Sequence, residues 1–169
     1  MRYALMRSMD ITNGEGVGVS LFVQGCPFHC KGCFNQETWD FNGGYEWTSE
    51  VEEKFLGLAD HSYIKRISIL GGEPLAPQNR KGVAELLRDV RQRFPDKKVW
   101  LYTGFKWEEI SYVNSFVDCL QYVDVLVDGQ FELDKQDLFN ERIVFAGSYN
   151  QRIIDVQQSL QTGKIIPYK

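Results

Sequence analysis

Val17-Gly18-Val19-Ser20-Leu21-Phe22-Val23-Gln24 runs straight into Gly25-Cys26-Pro27-Phe28-His29-Cys30-Lys31-Gly32-Cys33. The first half is β-branched and aromatic and stops at a glycine, as a buried strand does. The second half spaces three thiols as C-x3-C-x2-C on the loop that follows. A strand therefore delivers a thiol cluster at its C-terminal end, and the fold can be read by asking what packs around it.

Working outward, Ser49-Glu50-Val51-Glu52 fits a capping box, and Val51, Phe55 and Leu58 recur at helical spacing up to Asp60. Residues 64–70 predict a second strand, ended by Gly71-Gly72 and Pro74, with a loop up to Asn79. Val83, Leu87, Val90 and Phe94 share one face of a second helix that Pro95 closes. Residues 99–104 predict a third strand. Trp107, Ile110, Val113 and Val117 mark a third helix, and residues 123–127 a fourth strand stopped by Asp128-Gly129. Residues 132–140 fit either a loop or a short helix. Residues 142–146 and 153–156 are expected to be the last strands, on either side of the turn at 147–150.

Strand and helix alternate at roughly 30-residue spacing, which is the signature of βα units around a parallel sheet. A closed eight-fold barrel typically takes about 250 residues. The 169 residues here therefore predict a single α/β domain over 1–169, a partial, open βα barrel of five to six βα units. In such sheets ligands bind at the C-terminal edge of the strands, where the glycine-rich loops gather.

With 43% hydrophobic and 25% charged residues, disorder and disulfide-scaffold classes are poor fits. A net charge of -4 excludes a nucleic-acid binder that rests on a basic surface. No apolar run approaches the roughly 18 residues of a membrane span, and none follows the basic start, so neither a membrane partner nor a secretory signal is expected. The expected setting is cytoplasmic. There, clustered cysteines serve as metal ligands or reactive thiols more often than as disulfides.

Three soft thiolates suit zinc or an iron-sulfur cluster, but a structural zinc wants four ligands, usually in two close pairs. Cys119, on the third helix, reads as a small buried hydrophobe, and His29 would have to chelate from inside a tight loop. A zinc-stabilised interaction module is the alternative outside enzymology. In a four-iron cubane, three cysteines leave one iron open to a small molecule.

With this loop the sequence resembles the radical S-adenosylmethionine superfamily, whose mark is C-x3-C-x2-C after the first barrel strand. The resemblance implies one 4Fe-4S cluster per chain, held by Cys26, Cys30 and Cys33, with S-adenosylmethionine on its open iron. Gly71-Gly72-Glu73-Pro74, after the second strand, looks like the superfamily's Gly-Gly-Glu motif. Two glycines let backbone approach the cosubstrate, and Glu73 can accept from its ammonium group. Gly32, Cys33 and Phe34 belong to the same cofactor-binding set, with Phe34 the candidate for adenine contact because Gly32 stands where an aromatic residue is common.

Further phrases are similar to the small glycyl-radical activases of anaerobic ribonucleotide reductases: Gly14-Glu15-Gly16, Thr38-Trp39, Tyr102-Thr103-Gly104-Phe105, Val125-Leu126-Val127-Asp128-Gly129 and Gly147-Ser148-Tyr149-Asn150-Gln151-Arg152. That likeness implies an oxidoreductase fed by a low-potential electron donor. Its 5'-deoxyadenosyl radical would take the Cα hydrogen of a glycine in the reductase. Another glycyl-radical enzyme or a small heterocycle is the alternative substrate. Asp128 fits a ligand group or a capping role equally.

Overall fold

The computed structural model describes residues 1–136 and 144–169. Its seven strands are β1 (Arg2–Asp10), β2 (Gly18–Val23), β3 (Tyr45–Glu46), β4 (Arg66–Gly71), β5 (Lys98–Tyr102), β6 (Val125–Asp128) and β7 (Arg152–Asp155). They form one sheet in the order β3-β1-β2-β4-β5-β6-β7. β2, β4, β5 and β6 are parallel neighbours. β1 and β3 extend one edge antiparallel, and β7 the other.

Helix α1 (Ser49–Ala59) crosses from β2 to β4, α2 (Pro77–Arg93) from β4 to β5, and α3 (Trp107–Ile110) with α4 (Asn114–Leu120) from β5 to β6. The final helix, α5 (Val156–Thr162), follows β7. Among the described residues the parallel βα run thus has three crossovers, and the expected five to six units are not formed. The difference lies at the two ends of the chain, which are spent on antiparallel edge strands. None of these helices is long and apolar enough to cross a membrane.

Several boundaries differ from the sequence reading for local reasons. β1 shows no clean alternation because its register shifts between Tyr3 and Leu5 and again between Arg7 and Asp10. The cap of α1 is Thr48, not Ser49: its hydroxyl accepts from the Val51 amide, while Glu52 accepts from the Trp47 indole at 2.9 Å. α2 begins at Pro77, where proline suits a helix start. The third expected helix is split, with Val113 serving as the N-cap of α4. The expected strand at 142–146 lies partly outside the described residues, and 144–146 is not a strand. Of the 132–140 stretch, Leu133–Lys135 forms a 3-10 turn.

The sheet has two unlike faces. Val19, Leu21, Val23, Ile67, Ile69, Val99, Leu101 and Leu126 point to one side, where residues from all five helices join them in the main core. Alternation puts Ser20, Arg66, Ser68, Trp100, Tyr102, Val125 and Val127 on the other. Among the described residues that face is covered without helices, by the segment around Gly14 and by Phe145, Ala146 and Tyr168. Gly14 sits at φ +128, and a Cβ there would stand 2.7 Å from Trp100 Cδ2 and 2.8 Å from Arg66 Cδ. Backbone strain plus overpacking should make Gly14→Ala cost about 2–4 kcal/mol. Urea denaturation of the two chains measures it.

Candidate iron-sulfur site

Immediately after β2 the chain turns at Gly25, whose φ is +95 and whose Cβ, if it had one, would lie 2.1 Å from the Phe41 ring. Only glycine fits that turn. The Gly25 amide donates to the Thr38 carbonyl at 2.7 Å and the Cys26 amide to the Trp39 carbonyl at 3.0 Å, which closes the thiol loop on itself. Within it the Cys33 amide donates to the Cys30 carbonyl at 3.1 Å. His29 is left-handed at φ +48 and stacks on Trp39 with ring centroids 4.6 Å apart. Cys26, Cys30 and Cys33 are half-buried free thiols on this loop.

Each later parallel strand sends its C-terminal loop to grip the thiol loop. After β4, the Gly72 amide donates to the Val23 carbonyl and the Glu73 amide to the Gly25 carbonyl, both at 2.8 Å. Asn79 Nδ2 ties the two together, donating to the carbonyls of Gln24 at 2.9 Å and Glu73 at 3.0 Å. After β5, Gly104 lies so near Phe28 that a Cβ would meet the ring at 2.5 Å, and Phe105 packs edge-on to Phe28. After β6, Gln130 Oε1 is 3.9 Å from Cys30 Sγ. Phe131 lies 5.2 Å from Phe34, and Leu133 sits against Gly32. The thiol loop and the Gly71-Gly72-Glu73 motif are thus in backbone contact, and the loops after β5 and β6 meet them through side chains, at the edge of the sheet where ligands bind.

Glu73 is 1% exposed. Its Oε1 accepts from the Leu75 amide and the Thr103 hydroxyl, both at 2.8 Å, and Oε2 from the Gly104 amide at 2.7 Å. Burial pushes its carboxyl up to about 7, against these donors, which favour the charged form. Thr103→Val removes one of them, so the carboxyl should rise further. Its cost should be larger at pH 8, where Glu73 is ionised, at about 1.5–3 kcal/mol, and smaller at pH 5, where it is neutral. Denaturation at the two pH values tests this.

Burial also pushes the Cys26 thiol up to about 11, opposed by the Phe28 and His29 amides and reinforced by Glu73 and Cys30. The Cys30 thiol is raised by burial, opposed by the Phe131 amide and reinforced by Cys33 and Glu73. The thiols and Glu73 therefore share one electrostatic neighbourhood, and loading a metal must displace thiol protons. Among the described residues no three His, Cys, Asp or Glu side chains converge on a single ion position. A lone zinc draws thiolates to about 2.3 Å, whereas a multi-iron cluster lets its ligands stand further apart. Three soft donors on one loop, without a fourth ligand among them, fit an iron-sulfur cluster.

Gly32 is left-handed at φ +75, and a Cβ on it would come within 2.9 Å of Leu133. Phe34 is 63% exposed beside the thiols. Asp128 takes the capping role, accepting from the Trp107 amide at 2.7 Å and pairing with Arg152. Cys119 is fully buried in the main core. Asn79, Thr103 and Gln130 were not singled out as site residues. Thr103 and Gln130 lie just beyond a parallel strand, and Asn79 in the first turn of the helix after one.

Residues 12–154 match the 4Fe-4S single cluster domain family. The anaerobic ribonucleoside-triphosphate reductase-activating protein of Enterobacteria phage T4 is 38% identical over 153 residues, covering 90% of this chain and 93% of its own. The protein of the same name from Vibrio cholerae is 39% identical over 155 residues, covering 90% and 97%. That from Escherichia coli strain K12 is 37% identical over 153 residues, covering 89% and 96%. A match over most of the chain and likeness along nearly the whole length of these relatives lead to one assignment: the chain belongs to the 4Fe-4S single cluster domain family, among the anaerobic ribonucleoside-triphosphate reductase-activating proteins.

Proposed function

We propose that this chain is an S-adenosylmethionine-dependent glycyl-radical activase for an anaerobic ribonucleoside-triphosphate reductase, working in the cytoplasm on a partial, open barrel. The observation that carries the reading is the lacing of Gly72 and Glu73 onto Val23 and Gly25 at the root of the thiol loop. It sets three cluster ligands beside a glycine-rich edge that backbone can share with a ligand. Among the described residues, a sheet with helices on one face and none on the other supports the open barrel.

Cys26, Cys30 and Cys33 would hold the cluster, three thiolates for four irons. The chemistry such a cluster would supply is one-electron reduction, from a low-potential donor, of the sulfonium of S-adenosylmethionine to methionine and a 5'-deoxyadenosyl radical. Gly71 and Gly72 give the methionyl end an approach to backbone. Glu73, 1% exposed, fixes that edge through its three protein donors, so its carboxylate supports the backbone and does not itself reach the ammonium. Gly32 and Phe34 flank the adenine side. That radical would take the Cα hydrogen of a reductase glycine, yielding 5'-deoxyadenosine and a glycyl radical.

Anaerobic reconstitution should give about four irons and four sulfides per chain, and reduction with S-adenosylmethionine should yield 5'-deoxyadenosine. One zinc per chain without labile sulfide would support a zinc-stabilised module instead.

A further inference from the structure

The helix-free face of the sheet holds polar hydrogens with nothing to bond. Trp100 is fully buried, yet its Nε1 has no hydrogen-bond partner among the described residues, and neither does the enclosed hydroxyl of Tyr102. Buried donors are nearly always satisfied, so two on one face call for acceptors that arrive from outside. Tyr102 is the last residue of β5, directly before Thr103 and Gly104, which bond to Glu73. Its backbone therefore stands at the strand ends, next to the residues that hold Glu73, while its ring lies on the helix-free face with Trp100. Around these donors the wall is apolar: Val125, Val127 and Ile153.

Phe145 closes this place. It packs into the same cluster, with its ring edge-on to Trp100 at 5.4 Å between centroids. Its backbone is left-handed at φ +67, a conformation that a bulky residue without a glycine's freedom adopts only under constraint. A strained apolar residue packed, with Tyr168, against the ring that carries an unpaired donor is a contact that can be exchanged for a better one.

We propose that Phe145 is a displaceable plug, and that the seat it covers receives the glycine-bearing segment of the reductase, whose backbone carbonyls accept from Tyr102 Oη and Trp100 Nε1. The inference rests on the activase reading, which supplies the partner. A chain segment around a glycine suits the seat because it brings carbonyl acceptors close without a side chain to clash. Tyr102 is thus a positioning residue for the protein substrate.

The test is oxygen-free calorimetric titration of the reconstituted chain with the reductase, without S-adenosylmethionine, alongside thermal melting. Tyr102→Phe should bind the reductase about tenfold more weakly while melting at or above the wild-type temperature, since the hydroxyl has no partner to lose. Phe145→Ala should melt lower yet bind several-fold tighter, because no plug must be displaced. Phe145→Leu serves in its place if that chain does not fold. A Tyr102→Phe chain with wild-type affinity, or a Phe145 variant that binds no tighter, overturns the proposal. A wild-type chain that binds the reductase yet forms no glycyl radical counts against the activase reading alone, and the two variants still decide this one.

Discussion

Cys30→Ala, reconstituted anaerobically, should retain little iron or sulfide and form no 5'-deoxyadenosine above background. The loop offers three thiols, and the nearest replacement at Cys30 is the Gln130 amide oxygen, 3.9 Å from its Sγ. A neutral amide is a poor ligand for soft iron. Removing even an outer partner of a metal ligand costs about 10–100-fold, so deleting a ligand should cost more than about 100-fold in product. The fold should survive, because Cys30 is half-buried and outside the main core. A melting temperature close to wild type, with the cluster gone, separates loss of ligation from loss of structure. A Cys30→Ala chain that still cleaves S-adenosylmethionine would contradict the ligand assignment.

Asp10→Ala should be the most destabilising change away from the thiols. Asp10 and Arg66 pair at 2.9 Å with both side chains fully enclosed. Asp10 also accepts from the Thr12 amide at 2.8 Å, the Asn13 amide at 3.0 Å and the Ser20 hydroxyl at 2.9 Å. Arg66 donates to Ser68 Oγ at 2.6 Å and to the Asp10 carbonyl at 2.7 Å. Removing the carboxylate strands a buried guanidinium and unties the Gly14 segment, at about 3–5 kcal/mol. For a chain of this size that is on the order of 10 °C in melting temperature.

The pH dependence has a definite sign. Burial alone would raise the Asp10 carboxyl, but the donors of Asn13, Thr12 and Arg66 outweigh it and hold the group well below the usual carboxylate range. A depressed folded pKa gives stability that is present above the unfolded value of about 3.9 and lost as pH falls toward the folded one. The gap between wild type and Asp10→Ala should therefore be constant from pH 5 to 7 and narrow below pH 4. Acid denaturation of both chains checks it.

The parts of the molecule legible in sequence were those with strong local signatures. β2 announces itself by an unbroken run of buried residues, and the thiol spacing and Gly71-Gly72-Glu73 stand out as motifs. β1 did not, because Arg7, Ser8 and Met9 are exposed and two register shifts break its pleat. α5 is only seven residues long and starts directly at the end of β7, so its period had no room to show. The site's supports were hidden for a different reason. Asn79 and Thr103 act through side-chain bonds to groups far along the chain, and such pairings exist only once the strands are side by side. Glu73 illustrates the limit: its motif was visible, but its burial beneath three protein donors was not.

The central claim is that this chain makes a glycyl radical on a partner. The most direct measurement is electron paramagnetic resonance of the anaerobic reductase after incubation with the reconstituted chain, S-adenosylmethionine and a low-potential reductant. The account predicts a glycyl doublet that appears with the wild-type chain, grows with 5'-deoxyadenosine, and is absent with Cys30→Ala. No doublet from a chain that carries a full cluster and cleaves S-adenosylmethionine, or an equal doublet with Cys30→Ala, would contradict it.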